Sequence, residues 1–192
     1  MDDRLYPFLK YTAIGMAVLW LGWMFYDGFF SRSQPGDYAY HAGTNFFADG
    51  HYPQALAQYE AALAENPDYL PALRGRGETL IMLNRESEAI AVYDELIARE
   101  PAKAGHYANR GIAHDRLGEY ESALADYERA LSLDPEVGKG PGWLTRFFRK
   151  QAEKPPAIGD RARYLVQQLI LPPAERQLRN PELDQAQRPY KQ

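Results

Sequence analysis

The chain has 192 residues, of which 45% are hydrophobic, which is enough for one domain with a core and for appended segments. Cysteine is absent, which excludes disulfides, cysteine metal sites and thiol catalysis. The net charge of −4 is unevenly distributed, because residues 31–137 carry 9 basic and 18 acidic side chains whereas residues 138–192 carry 11 basic and 5 acidic ones. The acidic middle argues against nucleic-acid binding, and the opposite charges of the two regions suggest different partners for each.

An uncharged apolar run near the N-terminus is typical of a transmembrane helix. Residues 11–26 contain no charged side chain, and about 20 helical residues cross the roughly 30 Å apolar core of a bilayer. Trp20, Trp23 and Tyr26 lie near one end of the run, where aromatic side chains commonly mark the membrane interface. We therefore expect residues 1–30 to be a transmembrane anchor in contact with the lipid bilayer.

A cleaved signal peptide and a buried helix of a soluble protein are the alternatives to an anchor. The first four residues, Met-Asp-Asp-Arg, are not the basic start of a signal peptide, and no small-x-small cleavage site follows the apolar run. Arg4 and Lys10 precede the run and only Arg32 follows it closely. The positive-inside rule then predicts a single-pass protein of the inner (cytoplasmic) membrane, with a cytoplasmic N-terminus and the following domain in the periplasm.

Four columns of residues recur three times at a spacing of 34, which is a signature of repeat architecture. The columns are Gly43, Gly77 and Gly111; Ala55, Ala89 and Ala123; Tyr59, Tyr93 and Tyr127; and Pro67, Pro101 and Pro135. Each unit has the pattern of two helices, with small residues where the paired helices must approach closely. The prolines break the second helix of one unit and open the next unit.

This pattern resembles the tetratricopeptide repeat family, with units at residues 36–69, 70–103 and 104–137. The third unit matches the family signature most closely, whereas in the second unit Glu86 stands where a tyrosine is usual. The resemblance implies an all-α superhelix of three helix-turn-helix repeats. The N-terminal transmembrane helix would precede this superhelix, and a partly extended C-terminal tail would follow it.

The resemblance also implies a concave groove that binds peptides, helices or protein surfaces and is lined by the first helix of each unit. By position, the partner-binding residues of the groove are Tyr40, Thr44, Phe47, Arg74, Glu78, Ile81, Ala108, Ile112 and Asp115. The family also has a clamp of lysines, arginine and asparagines for a C-terminal carboxylate. The equivalent positions here hold Tyr40, Thr44, Gly75, Gly105 and Asn109. Only the asparagine suits such a clamp, so we do not expect a receptor for chaperone tails.

The basic C-terminal region divides at a pair of prolines. Residues 138–171 are predicted to form capping or amphipathic helices, and Trp143 and Phe147 either cover the last repeat or lie on the membrane surface. Residues 172–192 have no sustained apolar face and are predicted to be an extended interaction tail. Its expected contact residues are Arg176, Arg179, Leu183, Arg188 and Tyr190. The acidic repeats of the same chain and a partner subunit are the two candidate surfaces, and a solubilising terminus is the alternative.

No catalytic motif stands out in the sequence. It has no HExxH, no phosphate-binding loop and no GxSxG, so we expect neither enzyme activity, nor a cofactor, nor a small-molecule substrate. The leading interpretation is a non-catalytic protein–protein interaction scaffold, an accessory subunit or assembly factor of a larger membrane complex, plausible for a respiratory or photosynthetic one. Its partners would be other protein subunits of that complex. The alternative is a membrane-anchored periplasmic chaperone or maturation adaptor of the cytochrome-biogenesis type.

Overall fold

The computed structural model describes residues 5–30, 34–140 and 156–190. The chain divides into two units, Met1–Pro35 and Gly36–Gln192. The first unit is built around helix α1, Leu5–Phe30, which has 26 residues. The second unit contains helices α2 Asp37–Ala48, α3 Tyr52–Glu65, α4 Leu70–Met82, α5 Glu86–Arg99, α6 Ala104–Leu117, α7 Tyr120–Leu133, α8 Ile158–Leu169 and α9 Pro181–Ala186. The described residues form no β-strand, so the all-α prediction is confirmed.

Helices α2 to α7 form three consecutive pairs, and prolines and glycines set their ends. Pro53 and Pro71 lie in the first turns of α3 and α4, where the missing backbone N–H needs no partner. Gly118 ends α6 with a φ of 83°, which glycine adopts without steric cost. Short turns of this kind place the two helices of each pair side by side.

A glycine on the first helix of each pair makes room for a tyrosine on the second. A Cβ atom added at Gly43 would lie 2.9 Å from the ring of Tyr59, and one at Gly111 would lie 2.8 Å from the ring of Tyr127. The ring of Tyr59 also reaches the following repeat, because a Cβ atom at Gly75 would lie 2.4 Å from it. The tyrosine therefore joins α3 both to its own partner helix and to the next unit.

One apolar core runs through the repeats and continues into α8. Leu80, Leu96 and Ile112 are fully buried in this core, and Leu165 of α8 belongs to the same cluster. Helix α8 packs against α7 and so covers apolar surface that the last repeat would otherwise expose. Ile170, the residue after the end of α8, is 78% exposed.

Candidate functional site

The first part of the concave face is open to solvent. On α2, Thr44 is exposed, and Tyr40 and Phe47 are half-buried. The ring of Tyr40 lies 6.0 Å from that of Tyr59, and the ring of Phe47 lies 5.4 Å from that of Tyr52. Each of these aromatic residues thus packs on its own repeat and stays partly exposed, and a role of Tyr40 and Phe47 in partner binding stays a prediction.

Helix α4 contributes the middle of this face. Arg74 is half-buried and lies 3.7 Å from Glu100, and Glu78 is also half-buried. Ile81 is fully buried in the core, and its backbone carbonyl accepts a 2.6 Å hydrogen bond from Arg116. Its side chain is thus closed to solvent, and a role of Ile81 in partner binding stays a prediction.

Helix α6 supplies the last part of the face, and its residues are buried. Ala108 and Ile112 are 0% exposed and Asp115 is 2% exposed. Part of the C-terminal segment lies against this helix, through Gln187 on Asp115 and Tyr190 on Asn109. The groove therefore has an open part, on α2 and α4, and a part covered by the chain itself, on α6.

A buried ion pair joins α6 to α8. Arg161 donates two hydrogen bonds of 2.7 Å to the two carboxylate oxygens of Asp115, and both side chains are 2% exposed. Asp115 also accepts hydrogen bonds from the Tyr127 hydroxyl, at 3.2 Å, and from the amide of Gln187. Two parallel bonds of this kind satisfy a buried charge far better than one contact does. Asp115 therefore holds the third repeat, α8 and the tail together.

The electrostatics of this pair follow from burial and from charge. Burial opposes the charged guanidinium of Arg161, but the hydrogen bonds and charge of Asp115, together with the charge of Asp184, outweigh it, so the pKa of Arg161 is raised. Burial also raises the pKa of the Tyr127 hydroxyl well above its ordinary value, and the negative charge of Asp115 adds to this effect. The phenol therefore stays neutral and serves as a hydrogen-bond donor.

The predicted contact residues of the tail have different surroundings. Arg176 donates hydrogen bonds to the carbonyls of Leu169 and Leu171, at 3.0 and 2.9 Å, and so caps the C-terminus of α8. Arg188 is exposed and bonds local backbone carbonyls. Tyr190 is half-buried against an apolar cluster of the third repeat. Of these residues, Tyr190 is the one whose backbone is bound by α6.

The remaining two predicted contact residues, Leu183 and Arg179, differ in their exposure. Leu183 is half-buried, whereas Arg179 is exposed and lines a polar cavity. This cavity has a volume of about 350 Å³ and is also lined by Asn84, Glu86, Asp115, Arg116, Asp184 and Gln187. Among the described residues, no group of three histidine, aspartate or glutamate side chains could hold a metal ion.

Sequence reasoning missed the residues that make the network around Asp115. Arg161 carries a signal that could have found it, since it lies four residues before Leu165 and eight before Leu169 on one stripe of α8. A charge on the apolar stripe of a helix needs a buried partner. Gln187 and Arg116 carry no such signal, because nothing in the sequence brings the tail to α6.

Helix α1 carries the predicted membrane-interface residues. Residues 7–26 are long and apolar enough to cross a bilayer, with a mean hydropathy of 1.4, and none of this stretch is buried. Trp20, Trp23 and Tyr26 are 63, 69 and 63% exposed. A signal sequence meets the same criteria of length and composition. Trp143 and Phe147 lie outside the described residues, and their placement stays a prediction.

Paired helices around a concave face define this protein as a helical-repeat interaction scaffold. Residues 46–109 and residues 106–137 match two family models that are both described as "Tetratricopeptide repeat". Residues 46–137 are therefore tetratricopeptide repeats, as the 34-residue period predicts. Proteins built of these repeats are generally non-catalytic interaction modules.

Curated proteins are similar to part of this chain, and two of them show the extent of the match. The chain is 32% identical over 93 residues to the Hsp70-Hsp90 organizing protein of Triticum aestivum, which is 48% of this chain and 16% of that protein. It is 42% identical over 76 residues to small glutamine-rich tetratricopeptide repeat-containing protein 2 of Saccharomyces cerevisiae, which is 39% of this chain and 21% of that protein. The chain thus matches only about a fifth or less of the length of either relative.

Two solved structures share the fold. One is the first tetratricopeptide repeat domain of Spaghetti (RPAP3) bound to the HSP90 peptide SRMEEVD, with a TM-score of 0.57 and 20% identity, over 71% of this chain and 94% of that one. The other is MamA from Desulfovibrio magneticus RS-1, with a TM-score of 0.52 and 19% identity, over 70% and 73%. At these identities the likeness concerns the architecture.

Proposed function

We propose that this protein is a membrane-anchored scaffold that binds other subunits of a larger membrane complex as an accessory subunit or assembly factor. The single observation that carries the proposal is the combination of interaction repeats with a 20-residue apolar stretch whose side chains are all exposed. Exposed apolar surface of this extent needs a lipid or protein environment. A respiratory or photosynthetic complex is the kind that fits such an anchored scaffold.

The open part of the groove is the proposed docking surface for a partner subunit. Thr44 is exposed at its centre, between the half-buried rings of Tyr40 and Phe47. Aromatic rings of this kind give apolar contact area to a ligand, while Arg74 and Glu78 on α4 provide charges beside them. This mixed lining fits a protein segment with both apolar and charged side chains.

Purification in mild detergent tests the proposal. A tagged full-length chain should co-migrate with its complex in fixed stoichiometry, and Thr44→Arg should reduce the recovered partner severalfold, because a long charged side chain fills the open groove. Tyr38→Arg is the matched control, since Tyr38 lies on the same helix and is 88% exposed. A wild-type chain that is recovered alone, or equal recovery with both variants, contradicts the proposal.

The proposed orientation places the repeats in the periplasm of a cell with an inner membrane. The bias of basic residues, Arg4 and Lys10 before the apolar run against Arg32 after it, supports this arrangement. A reporter that is active only in the periplasm, fused after Gln192, should be active. Activity of a cytoplasmic reporter alone at the same position would reverse the orientation.

A chaperone-type adaptor is the second candidate, because the relatives in wheat and other organisms are named as Hsp70-Hsp90 organizing proteins. The positions of a carboxylate clamp do not favour it. A side chain at Gly75 would meet the ring of Tyr59 at 2.4 Å, and Gly105 is buried. We therefore expect no measurable binding of the peptide SRMEEVD, and transient rather than stoichiometric recovery of clients would support the adaptor instead.

A further inference from the structure

The end of the described tail contacts the third repeat as a bound peptide would. The side-chain amide of Asn109 binds both backbone polar groups of Tyr190. Its Nδ2 donates to the Tyr190 carbonyl at 3.1 Å, and its Oδ1 accepts from the Tyr190 N–H at 2.6 Å. Asn109 itself is 1% exposed. A buried amide that pairs with both polar groups of one residue fixes the register of the bound segment.

Gln187 is the second point of contact. Its side-chain amide donates to Asp115, and its backbone carbonyl accepts from Arg116 at 3.1 Å. Pro189 lies between the two contact points and has no N–H that would need a partner. A segment of the form Gln-x-x-Tyr therefore places one polar side chain and three backbone groups on matching partners of α6.

The aromatic ring completes the match. Tyr190 packs against the apolar cluster of Ala104, Ala108 and Val137. Gln185, near the end of α9, and Arg188, beyond that helix, are both exposed. Helix α9 has only six residues, which is too short to be stable by itself. The last part of the tail is thus held by its hydrogen bonds and one ring, and another chain with the same groups could make the same contacts.

We propose that the α6 face is a binding site for an extended segment with a glutamine followed, three residues later, by an aromatic residue, and that residues 187–190 occupy it in cis until such a segment replaces them. The proposal rests on the proposed function, because it names the chemistry of the partner that the repeats bind. Asp115 and Arg116 recognise the glutamine, and Asn109 recognises the backbone of the aromatic residue. The tail then sets the affinity of the groove for partners.

The expected size of the competition follows from mass action. A site that its own tail covers about nine-tenths of the time binds an external segment about tenfold more weakly than the uncovered site does. Removing the groups with which the tail binds should therefore raise the affinity for an external copy of the same segment. Changes in exposed tail residues should leave that affinity unchanged.

The experiment uses full-length protein in mild detergent and a fluorescent peptide with the sequence of residues 179–192, followed by fluorescence anisotropy. The double variant Gln187→Ala/Tyr190→Ala should bind the peptide about tenfold more tightly than wild type. Gln185→Ala is the matched control and should behave as wild type. Adding Asn109→Ala to the double variant should abolish binding, and a peptide with alanine at its glutamine and tyrosine should not bind.

Equal and weak binding by wild type and the double variant overturns the proposal and makes the tail a fixed part of the fold. A dimer of wild type that disappears on Tyr190→Ala also overturns it, because the tail would then link two copies. If the double variant loses helical circular dichroism, Tyr190→Ala alone replaces it under the same criterion. The assay needs no partner complex, so its failure is distinct from failure of the chain to co-purify with one.

Discussion

Arg161→Met should destabilise the repeat domain by about 3–5 kcal/mol, the range found when one partner of a buried ion pair is removed. The reason is that Asp115, 2% exposed, would keep its negative charge with, among the described residues, the Tyr127 hydroxyl and the Gln187 amide as its remaining side-chain donors. The carbonyl of Leu178 would also lose its 3.0 Å hydrogen bond from the guanidinium. Small domains have only about 5–15 kcal/mol of stability in total, so the loss should be easy to measure.

The matched control lies two residues away on the same helix. Arg163 is 71% exposed and pairs with Asp160 at 3.3 Å, and exposed pairs contribute about 0–1 kcal/mol. Urea denaturation of both variants in mild detergent, followed by circular dichroism at about 220 nm, where helices absorb, gives the two free energies of unfolding. Arg161→Met should shift the midpoint far more than Arg163→Met does.

A double variant separates the ion pair from side-chain packing. Arg161→Met combined with Asp115→Leu removes both charges, and apolar replacement of a whole buried pair is often neutral or stabilising. The double variant should therefore be more stable than Arg161→Met alone, which a double-mutant cycle measures. If Arg161→Met costs no more than Arg163→Met, or if the second substitution adds its own full cost, the account of this network is wrong.

Two further predictions concern the repeats themselves. Gly75→Ala should lower the free energy of unfolding by about 1–3 kcal/mol through overpacking, because its Cβ would stand 2.4 Å from the ring of Tyr59. Gly15→Ala is the control. A Cβ at Gly15 meets nothing within 4 Å, so this variant should leave the melting temperature of the repeats unchanged. His106 is fully buried, and burial lowers its pKa despite the hydrogen bond to Glu100. The unfolded chain therefore takes up a proton first as the pH falls below about 6.5, so stability should decrease from pH 7 to pH 5, and His106→Gln should reduce that slope in urea titrations.

The repeat architecture was predictable because each recurring residue is required by the packing or by the ends of the helices in its own repeat. Gly43 and Tyr59 recur at 34-residue intervals since every helix pair must bring a small residue against a ring, wherever in the stack it lies. The prolines recur because each second helix must end. The same reasoning marked α1 as an apolar helix from its composition alone. Such features depend on neighbours in sequence or on the adjacent repeat, and a single sequence displays them.

The solvent exposure of the predicted groove residues could not be predicted in the same way. The position of a residue within its repeat does not show which other part of the chain packs over that residue. Thr44 is open to solvent, whereas Ile112 is fully buried, although both occupy equivalent positions of their repeats. Ile112 belongs to the apolar cluster that includes Leu165 of α8, and in the described residues the C-terminal region also bonds to α6 at Asn109, Asp115 and Arg116. That contact spans more than 70 residues of sequence, and no periodicity marks it.

Local spacing, turn residues and composition were enough to predict the helix pairs, their number and the apolar character of α1. The position of the tail on the third repeat and the burial of Arg161 against Asp115 became known from the folded structure. A charged side chain is buried in an apolar interior only where an oppositely charged or hydrogen-bonding partner compensates the loss of water. That partner, 46 residues earlier in the chain, is brought to it only when the whole domain has folded.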